Sequence, residues 1–78
     1  MFEKMKLKKA IKKSKDRIAE IEQKRTRSQA ALVEAILRHT EPDDRDVDFF
    51  NQFTAQIDEE RANLHRLMKE YDEAFGDK

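Results

Sequence analysis

Residues 7–35 read LKKAIKKSKDRIAEIEQKRTRSQAALVEA, and residues 47–75 read VDFFNQFTAQIDEERANLHRLMKEYDEAF. In each stretch, one set of positions recurs at alternating steps of three and four residues, which keeps a narrow stripe on one side of an α-helix. We call the two stripes the seam. Its first half contains Leu7, Ile11, Ser14, Ile18, Ile21, Arg25, Ser28, Leu32 and Ala35, and its second half contains Val47, Phe50, Thr54, Ile57, Arg61, Leu64, Met68, Tyr71 and Phe75. The seam predicts an all-α fold, in which two long helices form an antiparallel coiled-coil hairpin.

The only proline and the only glycine of the chain mark predicted helix ends. We expect helix 1 to span about 3–39, a turn to span 40–43 around Pro42, and helix 2 to span about 44–75. Asp43 is a favourable N-cap for helix 2, and Gly76 is predicted to end that helix in the left-handed conformation. A chain of 78 residues is predicted to form a single helical-hairpin domain, 1–78.

The composition excludes several classes of chemistry. The chain has no cysteine, which excludes disulfides, thiol catalysis and thiolate metal sites. No apolar run is long enough to span a membrane, and the N-terminal MFEKMKLKK lacks the apolar core of a secretory signal. No glycine-rich phosphate loop or nucleophile–base pair is recognisable. We therefore predict a cytoplasmic protein that is not an enzyme and has no metal and no cofactor.

Two arginines occupy seam positions. Folding the chain about Pro42 predicts that Ile21 packs against Leu64 and that Arg25 and Arg61 share one polar seam layer. Two facing guanidinium groups repel each other, and each needs an anion. The favoured interpretation is that they extend to acids at the surface, and the alternative is a pocket that binds a carboxylate or phosphate. The acids within helical reach are Glu22, Asp58 and Glu60.

The zero net charge hides a strong asymmetry along the chain. Residues 1–27 contain eleven Lys and Arg against four acids, whereas residues 28–78 contain six against thirteen. Positive charge near a helix N-terminus opposes the helix dipole, so helix stability alone does not explain it. One interpretation pairs the lysines with the acidic end of helix 2; another is contact with nucleic-acid phosphates, and a third is adsorption to an anionic membrane. The lysines are Lys4, Lys6, Lys8, Lys9, Lys12, Lys13 and Lys15, and the acids are Glu70, Asp72, Glu73 and Asp77.

A second set of apolar residues lies off the seam, near the predicted turn. It contains Ala30, Val33, Leu37, Phe49 and Phe53. A hairpin of two helices cannot bury both faces, and an exposed apolar patch usually marks an interface. The patch predicts a homodimer, joined as a four-helix bundle, or contact with an unidentified protein partner.

Taken together, these features favour a non-enzymatic helical-hairpin module that acts through protein–protein contact and self-associates. The alternative is a small nucleic-acid-binding regulator that uses the lysine-rich face of helix 1. Salt distinguishes the two, because phosphate binding weakens steeply with ionic strength and burial of an apolar interface does not.

Overall fold

The chain forms an antiparallel pair of helices, as the seam predicts. The computed structural model describes residues 2–76, with side chains from residue 3 onward. Helix α1 spans Phe2–Leu37 and helix α2 spans Asp44–Phe75, and they contact each other within a rod of 57 × 18 × 15 Å. The all-α hairpin is confirmed. Neither helix, over its described residues, is long and apolar enough to cross a membrane.

The predicted seam of α1 is confirmed, whereas that of α2 is confirmed only in part. All nine seam positions of α1 are buried or half-buried, but Arg61 and Met68 of α2 are exposed. The residues that precede them, Glu60 and Leu67, are half-buried instead. Successive residues lie about 100° apart around a helix. A rotation of α2 about its own axis, relative to the predicted seam, therefore brings Glu60 and Leu67 toward α1 and turns Arg61 and Met68 away from it. This rotation turns the branched Leu67 toward α1 and leaves the flexible Met68 in solvent.

The turn between the helices spans 38–43 and begins two residues earlier than predicted. Helix α1 ends at Leu37, two residues before the expected end. His39 has a φ of 58°, in the left-handed region. Its N–H donates to the Ile36 carbonyl at 3.0 Å, and the Thr40 N–H donates to the Ala35 carbonyl at 3.0 Å. These two bonds form a Schellman motif, which satisfies carbonyl groups at the helix end.

The two ends of α2 differ in how well they were predicted. Asp43 is the N-cap, as expected, because its Oδ1 accepts from the Arg45 backbone N–H at 2.9 Å. The left-handed conformation predicted for Gly76 is wrong, since this residue is extended with a φ of −68°. Glycine is favoured at this position because any side chain would clash: a Cβ there would lie 2.5 Å from the Asp72 carbonyl oxygen. That oxygen accepts the Gly76 N–H at 3.0 Å.

The predicted register between the helices is wrong. The Ser14 hydroxyl donates to the backbone carbonyl of Glu60 at 3.4 Å, whereas the predicted packing of Ile21 against Leu64 implies that Tyr71 lies beside Ser14. The residue opposite Ser14 therefore lies eleven positions earlier in α2, about three helical turns. The earlier turn accounts for only part of this difference, because moving the point of reversal by one residue changes the facing residue by only two positions.

Candidate functional site

Arg25 and Arg61 have different partners, so the predicted layer of facing arginines is not formed. The Arg25 guanidinium lies over the Phe50 ring, 5.9 Å from its centroid, in cation–π geometry. Arg61 Nη2 lies 3.0 Å from Glu22 Oε1 across the interface between the helices. This ion pair agrees with the interpretation that Arg61 extends to an acid at the surface. Both of its side chains are about half exposed, so it contributes little to stability.

A polar network near the middle of the hairpin was not predicted. Arg17 Nη1 lies 3.4 Å from Glu60 Oε1, and Asn63 Nδ2 donates to Glu60 Oε2 at 3.0 Å. Arg66 Nη2 donates to Asn63 Oδ1 at 2.6 Å. These contacts explain how the carboxylate of Glu60, only 13% exposed, is tolerated between the helices. In the sequence, the signal for this network is the spacing of Glu60, Asn63 and Arg66, three polar residues at steps of three on one side of α2. The predictions from sequence did not use this spacing.

The lysines of α1 do not pair with the acidic end of α2. Lys4 Nζ lies 6.0 Å from the ring centroids of both Tyr71 and Phe75, and the other six lysines are exposed. None of the seven takes part in an ion pair with another residue of the described chain. The expected pairing with Glu70, Asp72 and Glu73 is therefore not formed, and Asp77 lies outside the described residues. Among the residues that the structure describes, the ion pairs are Arg17–Glu60, Lys24–Glu20, Arg38–Glu34 and Arg61–Glu22.

The predicted interface residues lie near the turn, and most of them are exposed. Leu37 is 73% exposed, Val33 46% and Phe49 43%. Ala30 is also exposed, whereas Phe53 is half-buried. The rings of Phe49 and Phe53 stack, with centroids 6.2 Å apart and planes 15° apart. We call these five residues the turn-end patch.

The three members of the turn-end patch on α1 form one continuous surface. Ala30, Val33 and Leu37 line a shallow depression of about 360 Å³. The rest of its lining also comes from α1, namely Thr26, Gln29 and Glu34. Ile36, which the predicted set omitted, is 63% exposed on the same two turns. The exposed apolar surface of α1 is therefore larger than predicted.

The described residues provide no arrangement suited to metal chemistry. Within 2–76, no three His, Cys, Asp or Glu side chains are grouped so that they could hold a metal ion. His39 lies in the turn and His65 lies within α2. Comparison of the chain with models of protein families, with curated proteins and with solved structures finds no match. The properties of the surfaces themselves are therefore the basis for a functional proposal.

Proposed function

We propose that this protein is a non-enzymatic helical-hairpin module that self-associates through the turn-end patch. The observation that carries the proposal is the distribution of apolar burial. Among residues 3–76, Ile57 is the one fully buried hydrophobic side chain, whereas Val33, Leu37 and Phe49 are exposed near the turn. Burying a side chain of this size stabilises a protein by about 1.5–3 kcal/mol. That gain is large beside the total stability of a small domain, about 5–15 kcal/mol.

A second copy of the chain is a suitable partner for this patch. A twofold axis covers the same surface on both copies, which makes symmetric dimers the commonest assemblies. The formal net charge of zero means that two copies have no overall repulsion. Ala30 and the stacked rings of Phe49 and Phe53 provide a small residue and a large apolar surface for packing. We infer a four-helix arrangement in which the turn ends of two hairpins meet.

Sedimentation velocity over a range of micromolar concentrations tests the proposal. The test variant combines Val33→Gln, Leu37→Gln and Phe49→Gln, which keep the helices uncharged at these positions. The control combines Met5→Gln and Met68→Gln, because these methionines are 58% and 44% exposed and lie outside the turn-end patch. We expect the test variant to weaken dimerisation by at least about tenfold, equivalent to about 1.4 kcal/mol. The control should dimerise like the wild type.

Two results would contradict the proposal. One is a wild-type chain that stays monomeric at high micromolar concentration. The other is equal weakening in the test variant and the methionine control, which would mean that association depends on general hydrophobicity and not on the turn-end patch.

A further inference from the structure

Two segments without acidic residues face each other away from the turn. Residues 4–15 of α1 read KMKLKKAIKKSK and contain seven lysines without a single Asp or Glu. Residues 61–69 of α2 read RANLHRLMK and likewise contain no acid, but include Arg61, Arg66 and Lys69.

The register of the hairpin aligns these two segments. Lys4 Nζ lies 6.0 Å from the centroid of the Tyr71 ring, and the Ser14 hydroxyl donates to the Glu60 carbonyl at 3.4 Å. One contact lies at each end of the pair of segments, since Lys4 and Ser14 belong to the α1 segment and Tyr71 and Glu60 lie just outside the α2 segment. Because both helices advance by the same rise per residue, the intervening residues of α1 lie alongside those of α2. Reversal at Pro42 would instead have placed acidic residues of α2 beside the lysines.

The resulting concentration of positive charge is not neutralised within the described chain. We define the basic band as the exposed lysines and arginines of this region that make no ion pair among residues 2–76: Lys6, Lys8, Lys9, Lys12, Lys13, Lys15, Arg66 and Lys69. Lysines four residues apart on one helix repel each other, and those near the start of α1 also oppose its dipole. Neither helix formation nor packing accounts for this arrangement, whereas an anionic partner does.

We propose that the basic band binds the sugar-phosphate backbone of double-stranded nucleic acid, without sequence specificity. Lysine acts toward phosphate as a point charge, and contacts of this kind carry no sequence information. The α1 segment is about 18 Å long, which equals the axial span of about ten phosphates of a duplex. The sequence-based alternative used only the lysines of α1, whereas the surface proposed here also includes Arg66 and Lys69 of α2.

The composition of the two segments favours a duplex over a single strand and over a membrane surface. Neither segment contains Phe, Tyr or Trp, so neither offers the stacking platform with which proteins bind single strands. Their exposed large hydrophobic residues are Met5 and Met68. Membrane-surface helices instead present a face rich in Trp, Phe and Leu. A phosphodiester duplex is therefore the partner that this surface fits.

Fluorescence anisotropy with a labelled duplex DNA of mixed sequence tests the proposal on the full chain. We expect binding at low salt that weakens about a hundredfold between about 50 and 200 mM NaCl, as for roughly four phosphate contacts. The α1 variant, with Lys9→Gln, Lys12→Gln and Lys13→Gln, should weaken binding by about tenfold or more at low salt. The α2 variant, with Arg66→Gln and Lys69→Gln, should also weaken it.

Matched controls remove equal charge outside the basic band. Lys24→Gln, Arg27→Gln and Arg38→Gln form the control for the α1 variant, and Arg38→Gln with Arg45→Gln forms that for the α2 variant. Both should bind within about twofold of the wild type, and circular dichroism establishes that every variant is folded. Absence of duplex binding at low salt, equal losses in variants and controls, or tighter binding to phosphatidylserine vesicles than to the duplex would overturn the proposal.

Discussion

The turn end and the open end of the hairpin share one seam but present opposite surfaces. At the turn end, Val33, Leu37 and Phe49 expose apolar surface. At the open end, the aromatic rings of Tyr71 and Phe75 are half-buried, and Lys4 lies over both of them. A hairpin of two helices uses one face of each helix for its own folding, so the remaining residues are available for partners. In the roles that we propose, the apolar end contacts a second copy of the chain and the basic band contacts a nucleic-acid duplex.

The two ends keep their different surfaces only while the two helices stay in one register, which requires a contact near the middle of the hairpin. Ile57, the fully buried hydrophobic residue of the described chain, provides it. We expect Ile57→Ala to cost about 2–5 kcal/mol and to disrupt both ends together, as measured by thermal unfolding with circular dichroism. Met68→Ala is the control, and at an exposed site it should change stability by no more than about 0.5 kcal/mol. Equal effects of the two substitutions would mean that the seam is not centred on Ile57.

The fold was predictable from the sequence because the seam of α1 is unbroken. The register was not predictable from the same pattern. A slide of eleven residues is close to three whole turns of helix, so the same faces still meet after it. The seam pattern alone does not choose between the two registers, and at the turn His39 adopts the left-handed conformation without being glycine or asparagine. The basic residues were visible in the sequence, but their alignment across the two helices depends on that register.

Salt sharpens the contrast between the ends. Screening reduces repulsion between exposed charges, so the hairpin should become more stable as NaCl rises. We expect a gain of about 1 kcal/mol, which corresponds to an increase of about 4–8 °C in Tm for a domain of this size. The Lys9→Gln, Lys12→Gln and Lys13→Gln variant should respond less. A Tm that falls with salt would show that ion pairs outweigh the repulsion within the basic band.

At the turn, His39 has a strained backbone conformation that a substitution by glycine would relieve. A histidine with a φ of 58° is in a region that glycine adopts without a steric penalty. The left-handed conformation costs a non-glycine residue about 1–2 kcal/mol, whereas glycine loses about 0.4–1 kcal/mol through the greater entropy of the unfolded chain. His39→Gly should therefore raise the free energy of unfolding by about 0.5–1 kcal/mol, measured by urea unfolding. The matched control is His65→Gly within α2, which should lower stability by about 1 kcal/mol. Destabilisation by both substitutions would indicate that the His39 side chain makes a contact that outweighs the strain.

The smallest expected effect concerns the ion pair of Arg61 with Glu22. Because both side chains are about half exposed, Arg61→Gln should cost no more than about 1 kcal/mol. Urea unfolding of this variant, of Glu22→Gln and of the double variant gives the interaction energy directly. A coupling well above this value would place the pair in the core and not at the surface.

The central claim is the register that aligns the two segments without acids, and a distance between spin labels tests it most directly. The chain has no cysteine, so labels attach only where cysteine is introduced. One doubly labelled variant carries Lys12→Cys and His65→Cys, the other carries Lys12→Cys and Ala74→Cys, and each is diluted with unlabelled chain. The observed register predicts the shorter distance between positions 12 and 65, because residue 74 lies about 13 Å further along α2. A shorter distance between positions 12 and 74 would support reversal at Pro42 and would contradict the account.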